Sequence, residues 1–458
     1  ASGIGRAGNV NIVQQGNIST LGEGSYGIFA QSVGAENGNI SINVGQDSVL
    51  VGGKGAGAAI GMFDGRSNLL TNVGYLTGYG QIDGLYLDKN LQLTASGWLD
   101  ANAVKAGVGD DQVVNNAFMT GSIWLDAGQN SLTNSLNAWL VAGQMIQMNL
   151  AGTSTLGDAV NQGNWAVGGV NRVDATYLDG NFTQANTGVM YWDYDLDRSS
   201  VQPIATPQVH SLLSGSSSSG LGASDIMQVT GTATLGGSVS VNLLNPNLVT
   251  PGTFDQTIVN AKNVVDTGFT VDAVPSAVAL FNKVVTNNSS AIRANIDFAR
   301  TALSENGQNL GQAINAIQLD QTSTAFGPVA AALLYRPDIA TLQTAYDSIS
   351  GEGNAAILQT AFTHTQGLMN DISVQSDYWR SRSNYAKNNN VYTVICDKAT
   401  ADGEQCIDDS QWRVWINGQN GTNQIYRDEH TGAAAYSAES YRTVAGLDYA
   451  LNKNMMLG

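Results

Sequence analysis

The sequence predicts a mainly β chain: a parallel β-solenoid first, then a helical segment, then a short antiparallel sheet. Three observations carry this. Charged residues make up only 12% of the 458 residues, while Gly reaches 53 and the apolar share is 43%. Strand-turn units recur along the first half, and the later part switches to a helical period and back to alternation. Abundant Gly supplies the positive φ of tight turns, and the apolar content is too high and too patterned for disorder.

Residues 1–200 read as the solenoid. Leu21 to Gly34 and Val51 to Gly65 look like variants of one unit. The segments 81–88, 91–96, 121–126 and 137–142 alternate as strands do. Units recurring about every 20–25 residues fit coils that bury their apolar faces only by stacking on one another. Periodicity alone leaves a β-sandwich open. Gly52 to Gly57 has the wrong spacing for a phosphate loop and reads as a turn. Trp98, Trp124, Trp139 and Trp165 read as core or coil-face ladders.

Residues 201–300 hold a Ser/Gly-rich loop (214–222), then dense alternation over 225–243. Residues 301–390 read as helical. Leu303, Leu310, Ile314, Ile317 and Leu319 fall close to one face. Apolar positions at 339, 342, 345, 346 and 349 define a second helix with Pro337 at its first turn, and a third runs from about Ala355 to Trp379. Residues 391–458 return to alternation over 411–417 and 433–451, with the aromatics Trp412, Trp415, Tyr426, Tyr441 and Tyr449 spaced as the girdle residues of a membrane strand would be. That stretch accommodates two or three strands.

The net charge of −17 excludes a basic nucleic-acid footprint. The histidines His210, His364 and His430 sit in three regions without ligand spacing, so no zinc-type site is expected. No cofactor motif is present. Cys396 and Cys406, with nine residues between them in a polar stretch, predict one bridged loop formed in an oxidising compartment; two free thiols are the other reading. Such a bridge contributes about 2–3 kcal/mol. The best carboxylate cluster is Asp193, Asp195 and Asp197. Paired carboxylates cleave glycosides, but the alternation reads first as the solvent face of a strand, and a weak Ca²⁺ site is a minor reading. No nucleophile elbow or protease-type Gly-Asp-Ser-Gly occurs, so an enzyme is not expected.

Two ordered sets of residues carry a resemblance. The first is Gly180, Phe182, Gln184 and Gly188, then Ser224, Asp225, Val229, Gly231, Leu235, Gly236 and Gly237, with Met227 where the pattern has Leu. The second is Trp412, Gly418, Tyr441, Gly446, Leu447, Asp448, Tyr449, Leu451, Leu457 and Gly458, its first spacing one residue longer than usual. Ile349-Ser350-Gly351-Glu352 between them adds a short helical signature. Together they resemble the C-terminal part of Gram-negative autotransporters, the type V secretion family. The resemblance implies a right-handed parallel β-helix passenger over 1–200 and an autochaperone-like cap over 201–300. It further implies a helical segment over 301–390 and the incomplete start of an outer-membrane β-barrel over 391–458. It implies an adhesin-like or structural passenger at the cell surface, with the outer membrane, its barrel-assembly machinery and host or other surfaces as partners. A displayed β-helix carbohydrate-active enzyme using the Asp cluster is the rival. A mere export stem, with the functional part N-terminal to Ala1, is a third reading. The opening Ala1-Ser2-Gly3 has no basic-then-apolar start, so the chain is read as an internal fragment whose parent carries the signal peptide and continues beyond Gly458.

Overall fold

The computed structural model describes residues 5–79, 101–149, 156–197, 223–320, 324–380, 412–428, 431, 433, 435–452 and 455–457. The segments expected as strands over 81–88 and 91–96, Trp98, the Ser/Gly-rich loop, His210, His430, Gly458 and the Cys396–Cys406 loop lie outside the described residues. Two compact units emerge: Ala1–Arg300 with Gly311–Leu342, and Thr301–Leu310 with Gln343–Gly458. Among the described residues, 24 strands join one sheet and three join another.

The first unit is a large, mostly parallel sheet consistent with a β-helix. One ladder stacks Val10–Gln14, Ile40–Val44, Ser67–Asn72, Asp110–Asn115, Ser131–Asn134, Asp158–Asn161 and Asn181–Gln184. A second stacks Asn17–Ser19, Val49–Val51, Tyr75–Thr77, Phe118–Trp124, Trp139–Gln147, Asn164–Ala166, Val189–Asp195 and Ser238–Leu244. A third runs through Tyr26–Gln31, Ala58–Phe63, Asn102–Ala106 and the far ends of Phe118–Trp124 and Trp139–Gln147 to Ala175–Asp179, Ile226–Leu235 and Gly252–Asp266. The two variant stretches of the sequence meet here in register, Ile28 on Ile60 and Ala30 on Met62. Parallel pairing excludes the sandwich, whose sheets are antiparallel.

Alternation decides what fills the interior. Ile40, Ile42, Leu50, Leu70, Leu76, Val113, Met119, Leu132, Leu140, Trp165, Phe182 and Met190 all point inward and are buried. Turns that need φ > 0 use Asp47, Asp64 and Asn137 as well as Gly, residue types that tolerate the left-handed region. Gly52 to Gly57 is a turn, with Lys54 bridging to Glu23 of the preceding coil.

The parallel run ends by changing direction. Gly252–Asp266 stacks parallel on Ile226–Leu235 with its far half, while its near half pairs antiparallel with Ser289–Ile296. That strand in turn pairs antiparallel with Ala279–Val285. Asp255 and Arg293 face each other across the pair and close a two-point ion pair at 2.7 and 2.8 Å. An exposed solenoid edge is a template for unwanted pairing, and a hairpin laid on it reduces that edge.

Among the described residues four α-helices follow: α1 Glu305–Asp320, α2 Gly327–Leu334, α3 Ile339–Ile349 and α4 Glu352–Arg380. In α1 the buried positions are Gly307, Gly311, Ile314 and Gln318, while Leu319 is exposed. The expected apolar face therefore shifts toward the small residues; a Cβ on Gly311 would overlap the Phe298 carbonyl. In α3 Leu342 and Tyr346 are the buried anchors. Its cap is Asp338, whose Oδ1 accepts the Thr341 N–H at 2.8 Å. Pro337 thus precedes the cap rather than opening the first turn.

The second sheet is antiparallel: Trp412–Ile425 pairs with Tyr436–Asn452, which pairs with Met455–Leu457.

Candidate functional site

Two places concentrate the residues singled out from sequence. The first is where residues 180–188 and 224–237 stack as consecutive coils. Gly180 leads into Asn181–Gln184, and Gly231 donates its N–H to the Gly180 carbonyl at 2.9 Å. A Cβ on Gly231 would crowd that carbonyl and the Asn181 side chain, so both glycines permit close coil stacking. Phe182 is fully buried and meets Trp165 edge-on at 5.3 Å. Val229 and Leu235 are inward and buried. Gly236 donates to the Gln184 carbonyl, and Gly237 sits at φ 62° beneath Gly188, where a side chain would be strained.

Ser224 and Asp225 are buried where the chain re-enters this stack. Asp225 Oδ1 accepts the Asp174 N–H at 2.9 Å, and its Oδ2 accepts the Asp193 N–H at 2.8 Å. One carboxylate thus ties two earlier segments together. Asp193 is itself enclosed, accepting from the Arg172 N–H at 2.9 Å and from Asn242 Nδ2. Burial pushes Asp193 up to about 6. Asp225 is raised well above the usual carboxylate range by burial first and then by Asp193. Asp174 pairs with Arg172.

This corrects one expectation. The Asp triplet does not line a solvent face: Asp193 and Asp197 are buried, and only Asp195 is half-buried. The physical reason is that residues 167–174 and the next coil cover the strand, which its own alternation cannot reveal. Among the described residues, no three Asp, Glu, His or Cys side chains are grouped to hold a metal ion.

Sequence reasoning missed a continuous line of amides. Asn72 Nδ2 donates to Asn115 Oδ1 at 2.8 Å, Asn115 to Asn134 at 2.8 Å, Asn134 to Asn161 at 2.9 Å, and Asn161 to Gln184 Oε1 at 3.2 Å. Each also donates to a backbone carbonyl of the following coil, ending with Gln184 on Ser238. All five are buried. Gln184, picked out as a motif residue, is the terminal member. The signal was the recurrence of Asn or Gln directly after an alternating pair: Leu70-Thr71-Asn72, Val113-Val114-Asn115, Leu132-Thr133-Asn134, Ala159-Val160-Asn161, Phe182-Thr183-Gln184.

The second place is the hairpin with α4. Trp412 pairs with Tyr449, their rings 4.5 Å apart. Gly446 sits opposite Trp415, whose indole occupies the space a Cβ there would need. Trp415 therefore lies on the other face from Trp412 and is removed from the girdle set. Gly418 has open space around it, Tyr441 and Leu447 are exposed, and Asp448 is buried.

The sheet turns its more apolar side outward. Val414 is 78% and Ile416 74% exposed, and Trp412, Tyr441, Leu447 and Leu451 stand out on the same side. The opposite side carries Asn417, Gln419, Ser440 and Arg442, and it meets α4 through Thr360, His364, Gly367 and Asp371. These helix positions repeat at i, i+4, i+7 and i+11, one face of a helix. Asp371 is buried; Asn417 Nδ2 donates to it at 2.9 Å, and Arg442 Nη2 lies 2.9 Å from its other oxygen. Gly367 makes the slot for Arg442, since a Cβ would overlap the guanidinium. Arg442 also donates to Gln419. A polar cleft of about 220 Å³ remains beside them, lined by Thr360, His364, Gln419 and Ser440 among others.

The fold class these features define is mainly β: a large parallel sheet consistent with a β-helix, joined to helices and a small antiparallel sheet. No protein-family model matches the chain, and neither a curated protein nor a solved structure matches it.

Proposed function

We propose that the chain is the C-terminal part of an autotransporter. Residues 1–200 form a right-handed β-helical passenger, 201–300 its autochaperone-like cap, 301–390 the helical connection, and 391–458 the first strands of an outer-membrane β-barrel. The observation that carries this reading is the inverted hairpin. A sheet in water hides its apolar side, whereas this one turns Asn417 and Arg442, both half-buried, toward the buried Asp371 of α4 and presents Val414, Ile416 and Leu447 outward. That polarity suits strands with hydrocarbon outside and a wet interior. A helix bringing a polar stripe to that interior suits a segment threading a pore.

The passenger is an adhesin-like or structural element at the cell surface, its recognition spread along coil faces. Its partners are the outer membrane, the barrel-assembly machinery and host or other surfaces, with no nucleic acid given the −17 charge. The enclosure of Asp193 and Asp197 favours this over the carbohydrate-active reading. The test uses the full-length gene product in a Gram-negative host. Spin labels placed at Val414 and at Asn417 should report lipid at the first and water at the second, while an epitope within residues 101–149 should be accessible on intact cells. Water at both label sites, with an inaccessible epitope, would sink the reading.

A further inference from the structure

Asp111 is the second residue of the strand Asp110–Asn115, four positions before the amide line, and it points inward at 1% exposure. It links three successive coils. Asn68 of the preceding coil donates Nδ2 to Asp111 Oδ1 at 2.6 Å. Asn130 of the following coil accepts the Asp111 N–H at 2.9 Å. Asn130 also donates Nδ2 to the Asp126 carbonyl at 2.7 Å, which ties in the turn after Phe118–Trp124.

This corner has more acceptors than donors. Asp111 Oδ2, Asn68 Oδ1 and Asp126 Oδ1 are all buried, and none receives a hydrogen bond. Orphaned buried acceptors are costly, and acceptors gathered together repel. In the amide line further along the strand, by contrast, the oxygens of Asn115, Asn134 and Asn161 each receive an N–H. The groups packed around Asp111 cannot supply the missing donor. Asp110 and Asp126 are carboxylates, Asp110 already accepting from the Gln129 N–H at 2.8 Å. Asn68 and Asn130 are neutral; Asn68 Nδ2 is on the other oxygen, Asp111 Oδ1, and Asn130 Nδ2 is on the Asp126 and Met148 carbonyls. Arg66, near the start of the preceding strand, is exposed.

We propose that Asp111 is a buried proton site, its Oδ2–H supplying the donor that this corner lacks, so that losing the proton loosens the joint between three coils. Burial raises the group to about 7; Asp110 and Asp126 add to the rise and the Asn68 hydrogen bond opposes it. The unfolded group titrates near 3.8. The folded state therefore holds the proton more tightly. Its contribution is fully present below about pH 4, declines as pH rises, and is gone above about pH 7.

The test compares the full chain with Asp111→Asn, whose NH₂ provides a permanent donor. Asp193 and Asp225 titrate with the same sign, so the difference between the two proteins isolates Asp111. The wild-type folding constant should fall relative to the variant by up to about tenfold per pH unit between pH 4 and 7, then run parallel above. Equal slopes for both proteins would overturn the proposal. So would a rise in wild-type Tm with millimolar Ca²⁺ at pH 8 that Asp111→Asn abolishes, because a cation would then fill the corner. Should the variant fail to fold, ¹³C NMR of the wild-type Asp111 carboxyl decides: a transition near neutrality is expected, and one below about pH 5 overturns the proposal.

Discussion

The two units solve the same packing problem with opposite polarity. In the parallel unit, apolar residues from Ile40 to Met190 fill the inside, and the amide line and the Asp corners are among the polar groups buried with them. In the hairpin unit the contact with α4 is polar, centred on Asp371 and Arg442, while the outer face carries Val414, Ile416 and Leu447. Both sheets alternate with period two, so alternation identifies a strand without saying which face is solvated. Only the partner of each face shows that. Where the polar face is the occupied one, the apolar face is left outward.

This contrast can be broken residue by residue, with unit-resolved hydrogen exchange as the readout. The largest effect belongs to Trp165→Ala. It empties a fully buried site next to Phe182 and should cost the parallel unit about 3–5 kcal/mol. Arg442→Ala comes next. It leaves the Asp371 carboxylate buried without its cation, and should cost the hairpin unit about 3 kcal/mol. If apolar packing rather than this ion pair held α4 to the strands, Arg442→Ala would be nearly silent. The smallest effect is Val414→Ser in water, within about 0.5 kcal/mol although it removes a large apolar side chain. A loss as large as that of Trp165→Ala would mean that the outer face is already covered.

Much of the fold was legible because it is local. The likeness of 21–34 to 51–65 marked them as variants of one unit, and alternation over 225–243 marked strand, which the structure divides at Gly236-Gly237 into Ile226–Leu235 and Ser238–Leu244. The helix over 339–349 could be read from its apolar spacing, while the spacing in 303–319 located α1 but misplaced its buried face. The amide line was not legible. Asn is also the residue of turns, and Asn72 differs from Asn137, which holds a positive φ, only by where its coil lands on the next. The burial of Asp193 was hidden for a related reason, because residues 167–174 that cover it belong to another coil. The opposite facing of Trp412 and Trp415 was implicit in their odd separation, and aromatic type alone obscured it.

The amide line has a consequence for assembly. Apolar alternation cannot detect a slip of two residues, because the same face turns inward again. Such a slip in Ser131–Asn134 would bring Leu132 to the position of Asn134, between Asn115 and Asn161. Both neighbouring amides would lose a partner inside the core. The line of Asn72, Asn115, Asn134, Asn161 and Gln184 therefore penalises a two-residue slip that apolar alternation alone would accept.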